Sequence, residues 1–169
     1  MYIEDRIQQS ILWVWLLKVQ RFIMVLSTVS VVLMLGIVVV ARYLLHVNVL
    51  GYDEIILVGA FWMYFIGGAY ATWEESHIRA DILNVFLSAK NNLIIGIVAK
   101  IFQVLLGIPL VYLAYEMLVF DVQAKPTTVD WNIPLLIPQS AIFFGYILMT
   151  FYSFVYLMRD VHKLKDGNY

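Results

Sequence analysis

Long uncharged runs separated by short charged segments organise this chain. Residues 22–41 carry no charge between Arg21 and Arg42, and residues 55–73 carry none between the pair Asp53–Glu54 and the pair Glu74–Glu75. Each run is close to the roughly 20 apolar residues that carry a helix across the hydrocarbon core of a bilayer. A third run, residues 93–118, admits Lys100 near one end and Glu116 near the other. Both sit where a long side chain reaches the headgroups. Lys100 is only about 10 Å into the run at about 1.5 Å of rise per residue, so it is expected to snorkel to the interface rather than to pair inside. A fourth uncharged run opens with Pro134 and Pro138, which suit a turn and the first turn of a helix, and the span is placed at 135–158. The pattern predicts an all-α integral membrane protein with four transmembrane helices in a single domain over residues 1–169.

Ahead of the first run, Ile3, Ile7, Ile11, Leu12, Trp15 and Val19 recur at helical spacing among charged and amide side chains. Residues 1–20 are therefore predicted to form an amphipathic helix at the membrane surface, the alternative being an extension of the first span. No short apolar core ends in a small-residue cleavage site, so the first span is expected to act as its own insertion signal. Of the eleven Lys and Arg residues, Arg42 and Lys125 fall in the first and third connections. The other nine fall before span one, around the middle connection, or after span four. Cytoplasmic loops are the Lys- and Arg-rich ones, which places both termini in the cytoplasm. Tyr43, Tyr52, Trp73, Trp131 and Tyr156 lie near run ends, where interfacial aromatics belong.

Composition narrows the function classes. The chain is 63% hydrophobic and 14% charged, with a mean hydropathy of +0.85 and a net charge of −1. It offers no basic face for nucleic acid. Without cysteine it has no disulfide, thiolate metal site or iron–sulfur cluster. An enzyme or autonomous transporter should place ionisable groups at membrane depth, yet runs one, two and four contain none. His46, His77 and His162 fall in connections or the tail, away from the interior positions that bind haem in a helical bundle. His77 and Asp81 lie one helical turn apart and could share a hydrogen bond, but two such groups supply too few ligands for a metal. Neither a catalytic residue nor a bound cofactor is predicted. Small residues concentrate in run two, where the Gly67-x-x-x-Ala71 spacing permits close helix contact, and Ser27, Thr28, Ser30 and Gly36 invite the same reading in run one.

Particular residues also carry a resemblance. Ala41-Arg42-Tyr43, Tyr52-Asp53-Glu54 opening run two, Trp62, Gly67 and Ala71 within it, Glu74, and the turn His77-Ile78-x-x-Asp81 follow one another in order. With Asn132-Ile133-Pro134 and Pro138 before run four, this set resembles the small membrane subunit of TRAP transporters, the DctQ-like family, over nearly the whole chain. One departure is visible, because that family commonly opens its second span with Trp and paired Glu.

The resemblance implies a subunit of the bacterial inner membrane, acting in sodium-coupled uptake of a carboxylated organic solute such as sialic acid or a C4-dicarboxylate. In that family a large membrane subunit holds the substrate and sodium sites, and a periplasmic binding protein delivers the solute. The small subunit braces the large one and helps dock the binding protein. The resemblance makes Arg42, Tyr52, Asp53, Glu54, Gly67, Ala71, Glu74, His77, Asp81, Lys125 and Pro134 candidate partner contacts, with membrane lipid around them. Two alternatives stay open from the sequence: the membrane anchor of a redox complex, and a self-sufficient four-helix transporter working as a homo-oligomer.

Overall fold

A computed structural model describes residues 11–75 and 89–167. Four helices are present: α1 (Ile11–Tyr43), α2 (Tyr52–Trp73), α3 (Ala89–Ala124) and α4 (Leu136–Lys165). All four are long and apolar enough to cross a membrane, and each overlaps one of the four apolar runs. At about 1.5 Å per residue, the 22 residues of α2 just span the roughly 30 Å hydrocarbon core, while the 36 of α3 overreach it. The polar residues near the ends of α3 thus lie at or beyond the interface. α1 is continuous from Ile11, so residues 11–20 extend the first span rather than forming a separate surface helix. Neither Gly nor Pro interrupts that stretch, and Trp13 and Gln20 are packed inside the protein. The rest of the predicted surface helix, residues 1–10, lies outside the described residues.

The helix ends follow local chemistry. His46 adopts a left-handed backbone (φ 55°) and the Val47 amide closes onto the Ala41 carbonyl at 2.9 Å, ending α1. Gly51 precedes α2 at φ 71°, a conformation that favours glycine. A Cβ there would also collide with the Trp131 ring. Asp53 and Glu54 then sit in the first turn of α2, where carboxylates complement the helix dipole. α3 stops at a left-handed Lys125 (φ 48°) followed by Pro126, and α4 takes Pro138 in its first turn, where no backbone N–H is needed.

The helices form a row rather than a closed bundle. Among the described residues α1 packs along α2, α2 along α4, and α4 along α3, so the spatial order is α1–α2–α4–α3. The two edge helices each bury one narrow stripe. On α1 it runs through Trp13, Gln20, Ser27, Met34 and Ala41, with Val38 beside them; on α3 it runs through Lys100, Gly107, Ala114 and Asp121, with Ile97 beside them. Apart from Val38 and Ile97, each set repeats every seven residues, the spacing that keeps one seam of a helix on its neighbour in a shallow left-handed crossing. Most of the remaining circumference of both helices is apolar and exposed or half-buried.

The closest helix approaches occur at glycines. A Cβ at Gly59 would fall 2.6 Å from Val31 on α1, and one at Gly145 would fall 2.9 Å from the backbone oxygen of Phe65 on α2. Gly67, expected to mark such an approach, leaves ordinary room, since a Cβ there would stand 3.7 Å from Met24 Sδ. Ala71 is half-buried beside it, and Ala69, on an adjacent face, is the fully buried small residue of α2. Tight packing in a membrane follows where a backbone meets a backbone, and α2 meets α4 through Gly145 rather than through its own Gly67.

Candidate functional site

Polar side chains gather at the two ends of the row. At one end, Lys100 of α3, Glu75 just beyond α2, and Arg159 and Asp160 of α4 form a network with no net charge. Lys100 Nζ lies 2.6 Å from Asp160 Oδ2 and 3.2 Å from Glu75 Oε2. Arg159 grips both oxygens of Glu75, at 2.6 and 2.7 Å, and its Nε donates to Asp160 Oδ1 at 2.8 Å. The guanidinium also stands 4.8 Å from the ring centre of Tyr156, whose hydroxyl donates to the Trp73 carbonyl at 2.6 Å. Two cations shared between two carboxylates satisfy more of each other's hydrogen-bonding groups than one pair would, which makes their burial tolerable.

Lys100 does not snorkel. Its side chain is only 4% exposed, because carboxylates from two other helices meet it at the seam. Glu116, at the other end of α3, does remain exposed and accepts the Tyr112 hydroxyl. Burial alone would raise the Glu75 carboxyl. Hydrogen bonding and charge from Arg159, reinforced by Lys100, outweigh burial and hold it at about 2, below the ordinary value of 4.5. Glu75 therefore stays ionised throughout the physiological range and keeps both cations in place.

Between this network and the bilayer centre, Gln20 of α1 donates its amide to the Tyr152 hydroxyl of α4. Trp13 stands edge-on to Tyr152 with ring centres 5.3 Å apart. Arg21 donates to the Tyr70 hydroxyl at 2.7 Å. These contacts join α1 to α2 and α4, so all four helices are tied at this end. Farther along α3, Ser153 of α4 donates to Gln103 at 3.1 Å.

At the opposite end, one carboxylate organises the connection between α3 and α4. Glu54 accepts the Thr128 hydroxyl at 2.6 Å, the Asp130 amide at 2.7 Å and the Trp131 amide at 2.9 Å. Thr128 and Ile133 close the connection on itself, and Trp131 Nε1 donates to the Leu50 carbonyl at 3.0 Å. With its amide turned to donate, Gln139 of α4 brings its nitrogen 2.7 Å from buried Asp121 of α3.

The candidate partner contacts thus separate into groups. Arg42, Asp53, Glu74, Lys125 and Pro134 are exposed, and Tyr52, Gly67 and Ala71 are half-buried. Glu54 is 8% exposed, with its carboxylate committed to the chain's own loop. His77 and Asp81 lie outside the described residues. Arg42, Asp53 and Lys125 share the end organised by Glu54, whereas Glu74 stands at the end of Glu75. Sequence reasoning missed Glu75, Arg159, Asp160, Gln20 and Thr128. For the first three a signal existed: opposite charges follow run two, enter run three and follow run four, and an up-and-down chain brings those three points to the same membrane face.

Among the described residues no group of three His, Asp or Glu side chains is placed to hold a metal ion. The side chains described above tie helix ends to one another, and apolar flanks face outward. No curated protein is similar enough to the chain to count as a relative. The profile of the family described as "Tripartite ATP-independent periplasmic transporters, DctQ component" matches residues 31–163, from the middle of α1 almost to the end of α4. The chain belongs to that family and is a multi-pass small membrane subunit of a TRAP transporter.

Proposed function

We propose that this subunit braces the large membrane subunit of a sodium-coupled TRAP transporter in the bacterial inner membrane, for uptake of a carboxylated organic solute. Sialic acid is the first substrate to test. The observation that carries the reading is the open row: four helices tied at both ends, with broad apolar flanks suited to other membrane helices. The ionisable groups that the structure buries engage one another or polar groups of the same chain, so the row supports a scaffold role and leaves substrate and sodium to the partner. The distribution of Lys and Arg supports cytoplasmic termini. The Glu54 end then faces the periplasm, and exposed Arg42, Asp53 and Lys125 are the residues to offer a periplasmic binding protein.

Affinity purification of the tagged chain in mild detergent is the direct test. A stoichiometric polytopic partner, with sodium-dependent uptake in liposomes that requires both membrane subunits and the binding protein, is the expected result. Recovery of a haem protein, self-association alone, or uptake by this chain by itself would overturn the reading. For the docking role, Arg42→Glu should reduce uptake while the membrane complex stays intact. Unchanged uptake would remove Arg42 from the contact.

A further inference from the structure

The middle of α3 combines two features. Pro109 lies inside the helix and has no N–H, so the Leu105 carbonyl four residues earlier has lost its helical donor. These residues fall midway along a helix that crosses the bilayer, where an unpaired carbonyl has no water to turn to. Prolines in membrane helices are tolerated where a neighbouring helix, a Ser or Thr side chain, water or a local change of helix geometry satisfies the freed group. α3 is regular α-helix through Pro109 and has no Ser or Thr of its own. Here Pro109 is exposed and sits about 200° around α3 from Gly107, which faces α4. Among the described residues α4 is the helix that α3 packs along, and none of them covers the side of α3 that carries Pro109.

The surroundings of that carbonyl form a seat. Ile101, Leu105, Ile108 and Tyr112 alternate at spacings of four and three along the flank, each at least 40% exposed. Ile108 is also one wall of a groove of about 390 Å³ that Val104 and Val111 share with Ile147, Phe151 and Phe154 of α4. We propose that a transmembrane helix of the large membrane subunit packs on this flank. Its apolar side chains fill the groove, and at mid-depth a Ser, Thr, Asn, Gln or Trp side chain donates a hydrogen bond to the Leu105 carbonyl. This rests on the partner assigned above and names where it binds.

The freed carbonyl selects that occupant. A lipid chain fills an apolar groove but has no donor to give. A second copy related by an axis along the membrane normal brings equal depths together, so the Leu105 carbonyl would meet another acceptor. α1, the other edge, makes no such demand, because its Thr28 and Ser30 hydroxyls donate back to the Met24 and Leu26 carbonyls of their own helix.

Photo-reactive residues placed singly at Leu105, Ile108, Val25 and Val32 in the assembled complex test this. The α3 positions should crosslink to the large subunit in high yield and the α1 positions should not. Pro109→Ala, which restores the N–H, should lower recovery of the complex about threefold, the typical worth of one hydrogen bond between membrane helices. Crosslinks to the large subunit from α1 alone, crosslinks from α3 to lipid or to a second copy, or unchanged recovery with Pro109→Ala would overturn the inference while leaving the partner assignment standing. If the unmodified chain brings down no large subunit, the partner assignment itself fails.

Discussion

The two edges of the row are held by different forces. α1 lies on α2 through Ser27, Met34, Val38 and Ala41, apolar or small side chains whose fit depends on volume, while Trp13 and Gln20 at its start reach past α2 to Tyr152 of α4. α3 lies on α4 through a stripe that carries Lys100 near one end and Asp121 at the other, with Gly107 and Ala114 between them. A membrane supplies no hydrophobic drive between helices, so close packing and polar bonds must do the holding. One edge relies mainly on the first and the other on both. The ionic seam is therefore the more specific, because it fixes register through charge, and it is also the more fragile when a single charge is removed.

The largest expected effect lies on that seam. Lys100→Met leaves Asp160 buried and short of a partner and should destabilise the subunit by about 3–5 kcal/mol, read as a large fall in detergent melting temperature. Adding Asp160→Leu should recover part of the loss, and a double variant no better than the single would show that the pair is not coupled. Next comes Gly59→Ala on the α1 edge. Its new methyl would stand 2.6 Å from Val31, and repacking should cost about 1–3 kcal/mol. Equal stability would mean that α1 slides freely on α2 and is not held by the fit of its stripe.

Glu54→Gln keeps the shape of the loop anchor but weakens its charge-assisted bonds, and about 1–2 kcal/mol is expected, with residues 126–134 becoming more open to protease. Acid provides a graded test of the network. The Glu75 carboxyl is depressed in the folded protein, so its contribution is complete above the ordinary value of 4.5 and is lost as pH falls toward about 2. Melting temperature should decline over that interval, and less steeply in Glu75→Gln. The smallest change is expected at Thr28→Val, since that hydroxyl bonds only its own helix: within about 0.5 kcal/mol.

The four helices were legible because a bilayer demands long uncharged runs, and α2, α3 and α4 contain the segments that rule selects. Their order in space was not. Hydropathy treats each span alone, whereas the row depends on which stripe is narrow, and the seven-residue repeat of Lys100, Gly107, Ala114 and Asp121 is hidden among equally apolar neighbours. Lys100 illustrates the limit. Read along its own helix it has room to reach the headgroups, and only Glu75 and Asp160, far away in sequence, hold it inside. The same holds for Glu54. Its place in the first turn of α2 was visible, but its engagement by Thr128, Asp130 and Trp131 requires the connection to have folded back over it.

That fold-back carries a consequence for biosynthesis. The Asp130 amide lies 76 residues beyond the carboxylate it meets, and Arg159 lies 84 beyond Glu75. At about 5–20 residues per second, α2 emerges from the ribosome several seconds before either set of partners exists. The early helices must reside in the membrane with Glu54 and Glu75 exposed to water at opposite faces, and the row is fastened at both ends only when α4 arrives. α4 is thus the span that locks the order of the three made before it.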